Sequence, residues 1–191
     1  MQLILASQSP RRKELLGLFH VPFQIRVADI DEAMDPALPP EKEVARVSHA
    51  KAMAIPRAAG DTVIAADTIV VLEGQVLGKP KDTADAIRML TALSGRDHQV
   101  MTGVTVLRDQ KALTHTEITD IHFRPLSQKE IEGYVATGEP MDKAGSYGIQ
   151  GGAALFAEHM HGDYYNVMGL PVCRLWQMLR EITPDLMEET Q

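Results

Sequence analysis

The run Thr62-Val63-Ile64-Ala65-Ala66-Asp67-Thr68-Ile69-Val70-Val71-Leu72 is apolar on both sides of its alternation except at Asp67 and Thr68. A stretch this rich in β-branched residues, with no polar face, predicts a strand buried on both faces, as in sheets covered by helices. The carboxylate inside it is its most informative member. Burying an unpaired charge costs on the order of several kcal/mol. Asp67 therefore needs a cationic partner or a water-filled cleft. A structural salt bridge would satisfy it; a metal ligand or general base is the favoured reading.

Helices and strands are expected to alternate around this run. Leu3 to Ala6 reads as a short buried strand, and Ser9-Pro10 as the N-cap and first position of a helix to about Phe19. Phe23, Ile25 and Val27 alternate like a half-buried strand, and Asp29 to Pro40, rich in acid and proline, reads as a surface loop. Pro40 to about Ile55 has helical spacing, with Val44, Val47 and Ala54 near one face and Lys51 beside it. Thr83 to Leu93 predicts a helix with Ile87, Leu90 and Leu93 inward, ended by Gly95. His98 to Leu107 and Leu113 to Phe123 predict two strands joined by a polar turn, and Ser127 with Glu130 a capping box for a helix to about Val135. The glycine-rich segment Gly145 to Gly152 is expected to lead into an apolar strand, Ala153 to Phe156, with a turn at His161-Gly162-Asp163. Pro171 opens a last helix that packs through Leu175, Met178, Leu179 and Ile182. With 191 residues, 45% of them hydrophobic, the chain can bury one sizeable core. We expect a single domain over 1–184 and a frayed tail over 185–191.

Charge and cysteine usage narrow the function. A net charge of -7 supplies no general field for nucleic acid or an anionic membrane, so anions must be met by local clusters. Cys173 is the only cysteine, which excludes an intramolecular disulfide and an intrachain thiolate zinc site. The apolar stretch after Met1 is too short for a signal h-region or a membrane span, so a cytoplasmic protein is expected. Ser7-Gln8-Ser9-Pro10-Arg11-Arg12 follows a strand and opens a helix, where backbone N–H groups favour an anion and two arginines can chelate phosphate. An N-capped helix with solvated arginines is the alternative. Asp31-Glu32 could share a hard divalent cation with Asp67, or be a solvated loop. Lys51 reads by default as a snorkelling surface lysine. Gly78-Lys79-Pro80 could place Lys79 on a phosphate. It is no Walker A loop, because only three residues separate Gly74 from Gly78 and Pro80 holds the Ser/Thr place. His159 and His161 are spaced to bind metal, but a turn beside Gly162 explains them more simply. Neither Ser7 nor Ser9 has an identifiable His-Asp relay, so covalent catalysis is disfavoured.

Taken in order, Leu-Ala-Ser-Gln-Ser-Pro-Arg-Arg (5–12), Asp31-Glu32, His49-Ala50-Lys51-Ala52, Ala66-Asp67-Thr68 and Gly78-Lys79-Pro80 resemble the motif set of the Maf family. So do Ser94-Gly95 with His98, Asp142-Lys143-Ala144-Gly145 running into Tyr147-Gly148-Ile149-Gln150-Gly151, and Gly162-Asp163-Tyr164-Tyr165 before Gly169-Leu170-Pro171. The resemblance implies an elongated α/β fold related to inosine triphosphate pyrophosphatases. Its expected features are a mixed twisted sheet flanked by helices, a central cleft and a homodimer. It also implies a nucleoside triphosphate pyrophosphatase dependent on Mg²⁺ or Mn²⁺, with Asp67 as proton acceptor and Arg11, Thr68 and Gln150 selecting the substrate. Ser7, Ser9, Arg11, Arg12, Lys51 and Lys79 would bind phosphate, and Asp67 with Glu32 the metal. The Tyr-Gly-Ile-Gln-Gly form resembles the branch acting on dTTP and UTP, as opposed to the one acting on 7-methyl-GTP.

The chemistry implied is metal-assisted attack of water on the triphosphate, releasing pyrophosphate. Gln150 offers a donor and an acceptor on one amide, matching the mixed edge of uracil or thymine. Modified pyrimidine nucleotides would present a similar edge. A different class of reading is a nucleotide-sensing regulator of cell division, which needs the cations but no base at Asp67. A nucleic-acid binder is disfavoured by the acidic charge and the lack of a basic or aromatic stripe.

Overall fold

The computed structural model describes residues 2–27, 29–35 and 37–184; the expected tail at 185–191 lies outside them. Seven strands form one mixed sheet, in the order β2-β1-β3-β5-β6-β7 with β4 paired to β3. The strands are β1 (Leu3–Leu5), β2 (Phe23–Ile25), β3 (Thr62–Leu72), β4 (Gln75–Leu77), β5 (Asp97–Arg108), β6 (Lys111–Phe123) and β7 (Ala157–His161). The helices are α1 (Pro10–Gly17), α2 (Pro40–Met53), α3 (Thr83–Leu93), α4 (Gln128–Ala136), α5 (Tyr164–Met168) and α6 (Val172–Ile182). β1 runs parallel to both β2 and β3, whereas β3 with β4 and β6 with β7 are antiparallel. The fold is thus α/β with a helix-flanked mixed sheet, and β3 occupies the run that the sequence marks as buried.

By internal contacts the chain divides into two compact units. Among the described residues, the first takes those within 2–67, 102–117 and 169–184. Its apolar cluster joins Ile4 of β1, Val63 and Ala65 of β3, Leu107 of β5, and Ala52 and Ile55 at the end of α2. Val44, Val47, Ser48 and Ala52 are buried on α2 in a stripe at helical spacing, with Glu43 buried beside them. The expected third member of that face, Ala54, is exposed, and Ala52 and Ile55 are buried in its place. α2 lies extremely close to β5: a Cβ on Gly103 would stand 2.3 Å from the Val44 carbonyl oxygen. The half-buried reading of Phe23, Ile25 and Val27 is corrected. β2 pairs with β1 alone at one end of the sheet order, and Ile25 and Val27 are 44% and 50% exposed.

The second unit comprises residues 68–101 and 118–168. Its core gathers Val70 and Leu72 of β3, Ala86, Met89, Leu90 and Leu93 of α3, Ile121 and Phe123 of β6, and Ile131, Tyr134 and Val135 of α4. The capping box is present, with Ser127 Oγ accepting the Glu130 N–H and the Glu130 carboxylate accepting the Ser127 N–H. The strand expected over Ala153 to Phe156 is instead a 3-10 turn over Gly152–Leu155, with the strand following at Ala157–His161. Glycines ahead of Ala153 favour turning, and pairing with β6 begins only where Ala157 meets Phe123. His159 and His161 consequently stand on β7 opposite His122 and Asp120, with the turn beginning only at Gly162.

Candidate functional site

The alternation of β3 determines which way its two polar residues point. Val63 and Ala65 face the α2 side of the first unit, and Asp67 is next on that face. Val70 and Leu72 face the core of the second unit, on the face shared by Thr68. Adjacent in sequence, Asp67 and Thr68 project oppositely and fall in different units.

Asp67 meets Lys51. The ammonium donates to Asp67 Oδ1 at 2.7 Å and pairs with Glu32 Oε1 at 3.0 Å. The side chains of Lys51 and Asp67 are each 14% exposed, against 57% for Glu32. Lys51 is therefore no snorkelling lysine: it sits on the same side of α2 as the buried Val44, Val47 and Ser48, one position before Ala52. Helical geometry turns it toward the sheet, where it supplies the partner that a carboxylate on β3 needs.

Glu32 reaches Lys51 because its loop is tied to α2. Glu43, which is buried, accepts a forked pair from Arg46 at 2.8 and 2.9 Å and the Asp35 N–H at 2.7 Å. Arg46 also donates to the Ala33 carbonyl at 2.8 Å. The guanidinium and the Asp35 amide hold the Glu43 carboxyl below its ordinary range. Neither residue was singled out from sequence; an i,i+3 acid–base pair is too common on helices to draw notice. Asp31, by contrast, bends back on its own loop, accepting the Ala33 N–H at 2.9 Å.

The loop between β1 and α1 completes the cluster. Ser9 is the N-cap of α1, accepting the Arg12 N–H, and Pro10 opens the helix. Ser7, buried, accepts from the Ser9 amide at 3.2 Å and from Arg12 Nη1 at 3.3 Å. Arg12 Nε donates to the Gly169 carbonyl at 2.8 Å. Withdrawal from water lowers the Arg12 pKa. Asp67 pulls it up, Arg11 pushes it down and Glu32 pulls it up. Arg11, Arg12, Glu32 and Asp67 thus share one electrostatic neighbourhood, with Lys51 bridging its two carboxylates.

The remaining expected site residues lie in the second unit. Lys79 is exposed in the turn before α3, and Gln150 is exposed in the glycine loop. These two loops are joined, since the Gly145 N–H donates to the Gly78 carbonyl at 3.0 Å. At Gly145 the backbone is left-handed, with φ of 67°, and lies against Val70 of β3 so closely that a Cβ would stand 2.7 Å from its side chain. Tyr147 is held by His98, whose Nε2 lies 2.8 Å from its hydroxyl. Among the described residues no group of three or more His, Cys, Asp or Glu side chains is placed to hold a metal.

The Maf-like protein family matches residues 2–182. A protein of Symbiobacterium thermophilum named dTTP/UTP pyrophosphatase is 52% identical over 94% of this chain and 93% of its own. Another of that name, from Bacillus cytotoxicus, is 46% identical over 93% of this chain and 94% of its own. A solved structure of a HAM1 protein from Coxiella burnetii is 15% identical, covers 95% of this chain and 99% of its own, and superposes with a TM-score of 0.49. The chain belongs to the Maf-like protein family.

Proposed function

We propose that this protein hydrolyses dTTP and UTP to the nucleoside monophosphate and pyrophosphate, with Asp67 as the general base. The observation that carries this reading is Asp67 on β3, paired with Lys51 and neighboured by Glu32 and Arg12. The names carried by relatives at 46% and 52% identity support the substrate class.

Arg11, Arg12, Lys51 and Lys79 neutralise the triphosphate, and Ser7 and Ser9 hold the backbone turn that offers amides to phosphate oxygens. Lys51 engages Asp67 Oδ1, which orients the carboxylate and leaves Oδ2 as the atom assigned to take the proton of the attacking water. Arg12, anchored on Gly169 and Ser7, keeps its fork fixed while charge develops on the departing pyrophosphate. Arg11, Thr68 and Gln150 are assigned to substrate selection.

Two carboxylates bound to one ammonium at 2.7 and 3.0 Å form a hard-oxygen pair that suits Mg²⁺ or Mn²⁺, ions that take the rest of their shell from water and phosphate. Asp67 and Glu32 are assigned to hold it, and when bound it would polarise the phosphoryl group. We place the enzyme in the cytoplasm, as a homodimer that clears unwanted pyrimidine nucleotides, modified ones included, a role through which cell division would respond.

The test is pyrophosphate release from a panel of nucleoside triphosphates with Mg²⁺ or Mn²⁺. Wild type should turn over dTTP and UTP, and Asp67→Asn should lose at least about 10²-fold in kcat. A wild type silent on every nucleotide would overturn the enzymatic reading in favour of the sensor.

A further inference from the structure

The loop that presents Gln150 is held at both ends by one pair of side chains. Tyr134, buried on α4, accepts the Gly148 N–H at 3.1 Å and donates its own hydroxyl hydrogen to Glu139 Oε1 at 2.9 Å. Glu139 Oε2 accepts the Gly152 N–H at 3.1 Å. Burial raises the Tyr134 pKa, so the group stays a hydroxyl able both to accept and to donate. Between the anchors the Gly151 N–H closes on the Gly148 carbonyl at 3.0 Å, making a tight turn with Ile149 buried and Gln150 exposed.

Neighbouring side chains crowd the glycines of this turn. A Cβ on Gly151 would stand 1.9 Å from Glu139 Oε1, and one on Gly148 would stand 2.8 Å from Lys143 Cε. Lys143 donates to the Glu139 backbone carbonyl at 2.5 Å, which braces the segment bearing the carboxylate. Hydrogen bonds to a carboxylate are roughly twice as strong as neutral ones, so the clamp is stiff.

We infer that Tyr134 and Glu139 are positioning residues that set the direction of the Gln150 amide, and through it the preference for a pyrimidine ring. This rests on the reading that Gln150 recognises the base. An amide can match a donor–acceptor edge only if its plane is held. Rotation of the turn would cost recognition of the base, not contact with the phosphates.

The experiment compares kcat and KM for dTTP, UTP, GTP and ATP in wild type, Tyr134→Phe, Glu139→Gln, Gln150→Ala and the Tyr134→Phe/Gln150→Ala double variant, with Tm recorded for each. Tyr134→Phe keeps the ring's edge-on packing against Phe156 at 5.2 Å, so the fold survives. The kcat/KM ratio of dTTP over GTP should fall about tenfold in both clamp variants, mainly through KM for the pyrimidine nucleotides. Tyr134→Phe should add nothing once Gln150 is Ala. Clamp variants with wild-type ratios, or with equal losses on all four nucleotides and a lowered Tm, would refute the positioning role while leaving the enzymatic reading intact. Unchanged selectivity in Gln150→Ala would overturn the reading beneath it as well.

Discussion

The close approach of α2 to β5 makes Gly103 the most consequential residue outside the charged cluster. Its Cβ would stand 2.3 Å from the Val44 oxygen, 2.6 Å from the Val44 carbonyl carbon and 2.9 Å from the Ala45 nitrogen. These are backbone atoms, so no side chain can swing away. Restoring an ordinary 3.4 Å contact requires α2 and β5 to separate by about 1.1 Å. Lys51 lies two turns further along the same helix and holds Asp67 at 2.7 Å. A separation of about 1 Å would stretch that contact beyond hydrogen-bond range and open the cluster beneath Ala52 and Ile55. Gly103→Ala should therefore cost about 2–3 kcal/mol as overpacking, or a Tm lowered by about 5–10 °C in a chain of this size. Pyrophosphate release should fall by about 10²-fold at temperatures where the variant is still folded, through loss of geometry alone. Gly133→Ala on α4 is the control, because nothing lies within 4 Å of its added methyl and alanine favours the helix. Calorimetry together with a pyrophosphate assay at 20–30 °C below the wild-type Tm (a window of about that width suffices) separates the two losses. A Gly103→Ala protein with unchanged Tm and unchanged kcat/KM would show that α2 is not held at this distance, and the account of how Lys51 meets Asp67 would fall with it.

Two further outcomes are expected. Lys51→Met removes the cation shared by Asp67 and Glu32 at 2.7 and 3.0 Å, so kcat should drop by at least about 10²-fold; turnover within about threefold of wild type would exclude Lys51 from the chemistry. His98 is buried and its pKa is depressed to about 4 from 6.5, chiefly by burial, so the unfolded chain takes up a proton that the folded one refuses. Stability contributed by the neutral ring is thus fully present above pH 6.5 and falls by about 3 kcal/mol as the pH drops toward 4. Urea melts at several pH values should show this slope in wild type and lose that part of it in His98→Asn. Equal slopes in the two proteins would mean that another group carries the acid sensitivity.

How far the molecule could be read from its residues depended on how local the evidence was. β3 is legible because eleven residues rich in β-branched side chains and without a polar face favour a doubly covered strand over a helix, and α3 and α6 because their buried positions recur at helical spacing. The last strand starts four residues later than its composition suggests: Ala153 to Phe156 is apolar enough for a strand, but the glycines before it favour a 3-10 turn and pairing with β6 starts only at Ala157.

The charged cluster divides in the same way. That Asp67 requires a partner follows from electrostatics and from the apolar residues around it, so the sequence by itself determined that a carboxylate in β3 would be answered by a cation or a wet cleft. That the cation is Lys51, a residue with every local mark of a solvated one, was decided by tertiary structure. Gly103 lets α2 settle onto β5, β3 turns Asp67 to that side, and the Glu43–Arg46 pair carries the Glu32 loop to the same ammonium. Periodicity and propensity act over a few residues, whereas Lys51 with Asp67 and Gly103 with Val44 join positions 16 and 59 apart, which only the packing of helix on sheet brings within reach.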